Sequence, residues 1–283
     1  MLGNIDYRRL IDYSHPHLRD CELLLKALPT LRDDYFYDLS THGRNGTLTN
    51  MDPATDWVIS QRGMVLDLNG SNQGVELPMA FSASADFTIN VWCRLRAGQG
   101  AGAGQTYDFF LAFADTLALG TQTVSSGDFG LLYFNDGTTL RWLTTSGTAC
   151  DYTIALDDDT WHMITAVERG STAELYVDGA LVASDATAAH ATYTRFGLST
   201  INDAVLQRAW DGQIDDARVY SRVLTAEEIR DVYLDTLGMR YSWIPRVGAG
   251  LPVMSYYQSP TAFVPQIMEY PIQRRQLVAV GYR

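Results

Sequence analysis

The sequence predicts an all-β protein, folded as a sandwich of two antiparallel sheets with one short helix on its C-terminal side. Many short apolar runs are separated by turns rich in glycine and aspartate, which is typical of sandwiches and jelly rolls. Only one segment carries the start and stop signals of a helix. A chain of 283 residues with 46% hydrophobic and 19% charged residues can bury one large β core.

The clearest strands lie between residues 161 and 181. Met163 and Val167 share one face of the first strand and Ile164 lies on the other, so we expect both faces to be covered. Asp178-Gly179 predicts a tight hairpin turn after it, because both residues tolerate a positive φ. Strands are also predicted near residues 22–27, 64–68, 74–77, 87–95, 109–113, 130–134, 139–144, 150–155, 194–198 and 213–220.

A helix is predicted over residues 226–235. Thr225 can cap its first turn, and Glu228 three residues later completes a capping box. Ile229, Val232 and Tyr233 share a face that should pack on the edge of the sandwich. Gly238 is suited to end the segment.

The composition changes after Gly238, which divides the chain into an N-terminal lead (1–19), a sandwich (20–237) and an extended C-terminal arm (238–283). Proline at high density discourages helix and central strand, whereas aromatic residues are unusual in simple disorder. The arm is therefore predicted to dock either on another subunit or across its own sandwich. Its candidate contact residues are aromatic: Trp243, Tyr256, Tyr257, Phe263 and Tyr270.

Several motifs in order along the chain resemble one known family. They are DLSTHGRNGTL at 38–48, GMVLDLNG at 63–70, VELP at 75–78, FTINVW at 87–92, WHMITAV at 161–167 with LYVDG at 175–179, and GQIDDARVYSRVLT at 212–225. Together they resemble the concanavalin A-like jelly-roll domains of the laminin G and pentraxin type. The resemblance covers about three quarters of the chain, and it implies a concanavalin A-like jelly roll used for recognition and adhesion.

The same resemblance implies a structural calcium ion. Members often hold it between the opening loop and the last long strand, which here nominates Asp38 and Asp216, with Asp215 as an alternative to the latter. Carboxylate oxygens are ligands that Ca²⁺ prefers. The alternative is that Asp38 caps a turn while Asp215 and Asp216 flank the strand. In a regular strand the two neighbouring aspartates would point to opposite faces.

Three tryptophans, Trp57, Trp142 and Trp210, are candidates for stacking on sugar rings if they are exposed; burial is the alternative.

Catalysis has little support. Sugar-cleaving relatives of this fold place paired carboxylates on one strand in an ExDxxE-like pattern, and no such strand is found here. There is also no GxSxG or HExxH motif. The sequence therefore predicts a protein that is not an enzyme.

Charge and targeting signals restrict the partners. With 21 basic and 33 acidic residues the formal net charge is −12, which disfavours nucleic acid. No run is long and apolar enough for membrane insertion, and Met1 to Arg19 has no apolar core of a signal peptide. The three cysteines match no metal or redox motif and are expected to be buried or unpaired.

These observations favour a structural and adhesive protein of a bacteriophage-type virion surface, such as a capsid decoration, fibre or tail protein. It would be made in the cytoplasm and would assemble with other virion subunits through the arm, as a homo-oligomer. The alternative is a calcium-dependent carbohydrate-binding module of a cell-surface or secreted extracellular protein, with surface glycans as partners.

Overall fold

The computed structural model describes ten segments of the chain. These are residues 13–14, 16–27, 34–82, 86–97, 107–114, 129–134, 138–143, 149–186, 192–199 and 210–234. The predicted C-terminal arm, with Trp243, Tyr256, Tyr257, Phe263 and Tyr270, lies outside the described residues.

Strands dominate the described segments, which also contain a short 3₁₀ turn at Pro16–Leu18 and one α-helix, α1 (Ala226–Leu234). The first eight strands are β1 (Cys21–Leu25), β2 (Tyr35–Phe36), β3 (Gly46–Thr49), β4 (Trp57–Ser60), β5 (Gly63–Asn69), β6 (Gly74–Ser82), β7 (Phe87–Leu95) and β8 (Tyr107–Ala114). The next eight are β9 (Phe129–Phe134), β10 (Thr139–Leu143), β11 (Ala149–Thr153), β12 (His162–Arg169), β13 (Thr172–Val177), β14 (Ala180–Ala186), β15 (Thr192–Leu198) and β16 (Asp211–Tyr220).

The strands form two antiparallel sheets of eight strands each. Sheet A has the order β14-β13-β12-β7-β16-β5-β4, and β1 pairs with β16 beside this path. Sheet B has the order β11-β10-β9-β8-β15-β6-β3-β2. Seven of the fourteen strand pairs in the described segments join strands that are not consecutive in sequence, such as β7 with β16 and β6 with β15, and these are the crossovers of a jelly roll. The predicted two-sheet antiparallel jelly-roll sandwich with one helix is confirmed.

The main core lies between the sheets because alternate residues of the strands point inward. Leu66, Ile89 and Ile164 come from sheet A and meet Leu77 and Leu131 of sheet B, together with further apolar residues. The two sheets are also joined by a buried polar contact, in which Trp142 Nε1 donates to Glu168 Oε1 at 2.6 Å.

A second apolar cluster covers the outer face of sheet A. Met163 and Val167 of β12 pack there with Ile229 and Val232 of α1, so β12 is buried on both faces as predicted. The helix begins with the predicted capping box. The Glu228 amide donates to Thr225 Oγ1 at 3.2 Å, and the Thr225 amide donates to Glu228 Oε2 at 2.9 Å.

The hairpin between β13 and β14 also turns where predicted. Asp178 and Gly179 have φ values of 51° and 79°, the left-handed region that this tight turn requires. A Cβ at Gly179 would lie 3.2 Å from the Cβ of Tyr233, so the turn packs closely against α1. Among the described residues, the helix is too short and too polar to span a membrane.

Candidate functional site

The outer face of sheet B presents one continuous row of residues across all eight strands, which we call the sheet B row. Each member pairs with the next across a strand boundary. Glu76, Gly130 and Gly197 alternate along their strands with the core residues Val75, Leu131 and Phe196, so this side of the sheet faces away from the core. From edge to edge it runs Tyr35, Thr47, Glu76, Gly197, Ala112, Gly130, Leu143 and Ala149.

The middle of this row carries little side-chain volume. Gly197 and Gly130 present only backbone, and the residue between them in the register is Ala112. Glu76 on β6 and Leu143 on β10 flank this stretch four strands apart, which is about 20 Å at the usual strand spacing. Gly197 and Gly130 are both buried, so the centre of the row is small in side-chain volume but is not open to solvent.

One end of the row combines an aromatic ring with polar side chains. Tyr35, on the edge strand β2, leaves 46% of its surface exposed, and its ring lies 6.5 Å from that of Tyr37. The exposed Thr47 and the half-buried Glu76 follow it in the register. An exposed ring beside hydroxyl and carboxylate groups can stack on one face of a sugar and hydrogen-bond its hydroxyls. The sequence did not predict this end, since the three residues lie on three separate strands.

Asp38, the first predicted calcium ligand, is fully buried and uses its carboxylate to organise the loop that follows it. Oδ1 accepts the amides of Leu24 at 3.0 Å and Ser40 at 2.9 Å. Oδ2 accepts the amide of Arg44 at 2.7 Å and the hydroxyl of Ser40 at 2.9 Å. Asn45 Oδ1 in turn accepts the Asp38 amide at 3.1 Å. These contacts account for the D-x-S-x₄-N pattern in structural terms.

Asp215 and Asp216, the other predicted ligands, lie at a bulge in β16. The register against β7 shifts between Asp215 and Arg218, and Asp216 has φ 47°. The expectation that the two carboxylates point to opposite faces of a regular strand is wrong, because the bulge brings both into one buried charged cluster. Lys26 and Arg62, which pair with Asp215, also attract Asp216.

Three cationic side chains pair with these two carboxylates. Lys26 Nζ lies 2.5 Å from Asp215 Oδ2, and Arg62 Nε lies 3.3 Å from the same oxygen. Arg218 binds Asp216 through two hydrogen bonds of 2.6 Å. Burial raises the pKa of Asp216, but the charge and hydrogen bonds of Arg218, then Lys26 and Arg62, outweigh it and hold that pKa below its usual value.

This donor set does not suit calcium. A calcium ion needs six or more oxygen ligands that face it, whereas the carboxylate oxygens of Asp38 face N–H and O–H donors. Asp215 Oδ2 and both oxygens of Asp216 face cationic side chains. Across the ten described segments no group of three or more histidine, cysteine, aspartate or glutamate side chains is arranged to hold a metal ion.

The three tryptophans nominated for sugar stacking do not lie on the surface. Trp57 is 3% exposed, and Trp142 and Trp210 are 0% exposed. All three belong to the core between the sheets, where their large apolar surface stabilises the sandwich. The prediction that they form a sugar-binding surface required exposed side chains and is therefore wrong.

Residues Thr160, His162 and Asp178 have the connectivity of a hydrolytic triad. His162 Nδ1 lies 2.9 Å from Asp178 Oδ2, and Nε2 lies 2.9 Å from Thr160 Oγ1. The Thr160 hydroxyl, however, donates to Asp158 Oδ1 at 2.6 Å. Burial lowers the pKa of His162, but Asp178 and Asp158 outweigh it and raise that pKa. Because the Thr160 proton is directed to Asp158 rather than to His162 Nε2, the geometry of a hydroxyl activated by a neighbouring base is not met.

The cysteines offer no reactive thiol in the described structure. Cys21, Cys93 and Cys150 are all buried and unpaired, as predicted. Burial raises the pKa of Cys21 to about 12 and that of Cys150 to about 11, which keeps both in the unreactive thiol form at neutral pH.

The comparisons with known proteins agree with this fold. A family model described as "Concanavalin A-like lectin/glucanases superfamily", of the laminin G type, matches residues 69–230. No curated protein matches the sequence.

Several solved structures are similar. The binding domain of Paraclostridial Mosquitocidal Protein 1 is 16% identical with a TM-score of 0.56, over 77% of this chain and 52% of that one. Trypanosoma rangeli sialidase in complex with sialic acid is 15% identical with a TM-score of 0.56, and the match covers 77% of this chain and 33% of the sialidase. The botulinum neurotoxin serotype D binding domain is 13% identical with a TM-score of 0.54, and the match covers 76% of this chain and 51% of the toxin domain. The chain thus spans about half of the toxin domains and a third of the sialidase, and at these identities the likeness is one of fold.

Proposed function

Because the chain belongs to the concanavalin A-like lectin/glucanase superfamily, as a domain of the laminin G type, we propose that it is a non-enzymatic adhesive module that binds carbohydrate on the outer face of sheet B. The observation that carries this proposal is the sheet B row. It places the exposed ring of Tyr35 in register with the polar side chains of Thr47 and Glu76 on three neighbouring strands.

The polar end of the sheet B row suits a hydroxyl-rich ligand. Thr47 supplies a hydroxyl and Glu76 a carboxylate acceptor. Tyr35 supplies the apolar ring face on which a pyranose can stack.

The charge of the chain points to neutral sugars. A formal net charge of −12 repels sulfated and carboxylated glycans at long range, and Glu76 adds a carboxylate within the row itself. Neutral oligosaccharides carry the donors and acceptors that this row can match, without the cost of bringing like charges together. We therefore expect neutral glycans to bind more tightly than acidic glycans of the same length.

A glycan array with neutral and acidic oligosaccharides tests the proposal, followed by titration calorimetry on the best ligand. Tyr35→Ala should weaken that ligand about tenfold, equivalent to about 1.4 kcal/mol, because it removes the stacking ring. Ile59→Ala is the matched control, since Ile59 is 71% exposed and lies on β4 of the other sheet. The proposal would be contradicted if no glycan on the array bound, or if the two substitutions weakened binding equally.

The absence of catalysis is part of the proposal. Among the described residues, Glu168 accepts a hydrogen bond from Trp142 at 2.6 Å and Glu174 accepts one from Tyr176 at 2.8 Å. Asp38, Asp215 and Asp216 are held by the amide and cationic donors already described. Incubation with the best array ligand should release no reducing sugar, and any turnover would make the chain a glycosidase instead.

We also propose that the chain is part of a virion surface, and the composition of residues 238–283 supports this. This segment holds five of the nine prolines together with many aromatic residues, a combination suited to docking on a neighbouring subunit. Light scattering on the full chain should then give a defined homo-oligomer. Substituting Tyr256, Tyr257 and Phe263 together with serine should reduce it to a monomer, whereas an unchanged mass for the substituted chain would oppose the assembly role.

A further inference from the structure

The charged cluster under the outer face of sheet A contains equal numbers of buried anions and cations. Asp38, Asp215 and Asp216 are each buried, as are the side chains of Lys26, Arg62 and Arg218. Strand β1 links the members, since the Leu24 amide binds Asp38 while Leu24 pairs in register with Arg218.

We infer that the positive charges of Lys26, Arg62 and Arg218 replace the divalent cation that the resemblance leads one to expect, so that this domain folds without calcium. A structural calcium ion would neutralise carboxylates that otherwise repel one another between the opening loop and β16. In this chain three cationic side chains of the protein itself supply the positive charge. The cluster is already neutral before any ion binds.

Lys26 is the centre of this replacement. Its side chain is 5% exposed, and its ammonium group lies 2.5 Å from Asp215 Oδ2. Lysine almost never occupies such a position unless it is paired. A calcium ion bound to that oxygen would lie within contact distance of the ammonium group, and two cations at that separation repel strongly in a buried site.

Arg62 places a second cation at the same oxygen of Asp215. Its guanidinium carbon lies 3.7 Å from the ring centroid of Trp92 and 5.6 Å from that of Trp161. This stacking holds the side chain over β7 while Nε contacts Asp215. Displacing Arg62 to admit an ion would give up the aromatic contacts as well as the ion pair.

The decisive measurement is the unfolding temperature of the full chain, freed of metal with a chelator and then titrated with calcium. We expect no shift in either direction, and no saturable tryptophan-sensitised terbium luminescence from Trp92 or Trp161. A rise in unfolding temperature with calcium, or a fall with the chelator, would overturn the inference. This measurement needs no variant and no ligand.

Lys26→Met tests the internal cation itself. It leaves Asp215 buried with only Arg62 for charge balance, so the unfolding temperature should fall by several degrees. Arg94→Met is the matched control, because its partner Asp159 and Arg94 itself are partly exposed, and its shift should be much smaller. Equal shifts for the two variants would refute the role of Lys26. If Lys26→Met does not fold, the calcium titration of the native chain decides alone.

Discussion

The outer faces of the two sheets use charge in opposite ways. On sheet A, Asp216 and Arg218 pair at 2.6 Å with side chains 1% exposed, beside Tyr220 of the second apolar cluster. On sheet B, Arg141 and Asp151 pair at 2.5 Å with side chains 30% and 42% exposed. The distances are alike, but the surroundings differ. Burial, rather than pairing distance, therefore separates the outer face of sheet A from the more solvent-exposed outer face of sheet B.

The largest effect is expected from Arg218→Met on sheet A. It leaves Asp216 buried without its two hydrogen bonds, which should cost about 3–5 kcal/mol in the free energy of unfolding. Chemical denaturation of the native and substituted chains measures it.

A double substitution sharpens this prediction. Asp216→Asn with Arg218→Met removes both charges, and asparagine tolerates the positive φ at this position. The double variant should be more stable than Arg218→Met alone, because no uncompensated charge remains. A single substitution that costs less than 1 kcal/mol would show that the two faces do not differ as described.

The second prediction concerns the helix that covers sheet A. Thr225→Ala removes the hydroxyl that accepts the Glu228 amide, and it should lower the free energy of unfolding by about 1 kcal/mol. Thr225→Ser keeps an accepting hydroxyl and serves as the control. If the alanine variant matches the serine variant, the cap contributes nothing and the helix is held by its apolar face alone.

The sequence predicted local structure well and the assembled surfaces poorly. The capping box at Thr225 and the turn at Asp178-Gly179 depend on residues a few positions apart, so their physics is contained in the local sequence. The sheet B row depends on the register of eight strands drawn from residues 35 to 197, which no local pattern encodes. The same holds for Lys26 and Asp215, which are 189 positions apart.

The bulge in β16 shows a second limit of sequence reasoning. Regular alternation predicts opposite faces for Asp215 and Asp216, and the shift in register overturns it. The tryptophans fail for another reason: Trp142 has the chemistry of a sugar platform, and only the position of its strand decides that it is buried. In both cases the chemistry of the residue type was predicted correctly, but the position of the side chain in the fold depended on tertiary structure.

The third prediction is a pH dependence at the end of β12. His162 lies between Asp178 and Asp158, and Thr160 also contacts its ring. Its pKa in the folded chain is raised above the ordinary value of 6.5. The stabilisation is therefore fully present below pH 6.5 and is lost as the pH rises through the raised folded pKa.

His162→Asn should remove this part of the pH dependence. Thermal unfolding of both chains across the neutral range measures it, and the two curves should converge as the pH rises. Asp178 also accepts the Met163 amide at 2.8 Å, so asparagine is preferred to an apolar residue because it can still donate to that carboxylate. Parallel curves would show that the imidazole is uncharged in the folded protein.

The smallest effect is expected on sheet B, from Arg141→Ala. Its two contacts with Asp151, of 2.6 Å and 2.5 Å, have good geometry, and Asp151 raises the pKa of the guanidinium group. Both side chains remain in contact with water, which screens their attraction and solvates whichever partner is left alone. The free energy of unfolding should change by about 0.5 kcal/mol, and by less at high salt. A double-mutant cycle with Asp151→Ala isolates the pair. A coupling as large as that of Arg218 with Asp216 would erase the distinction between the faces, because surface exposure would then no longer predict what an ion pair contributes.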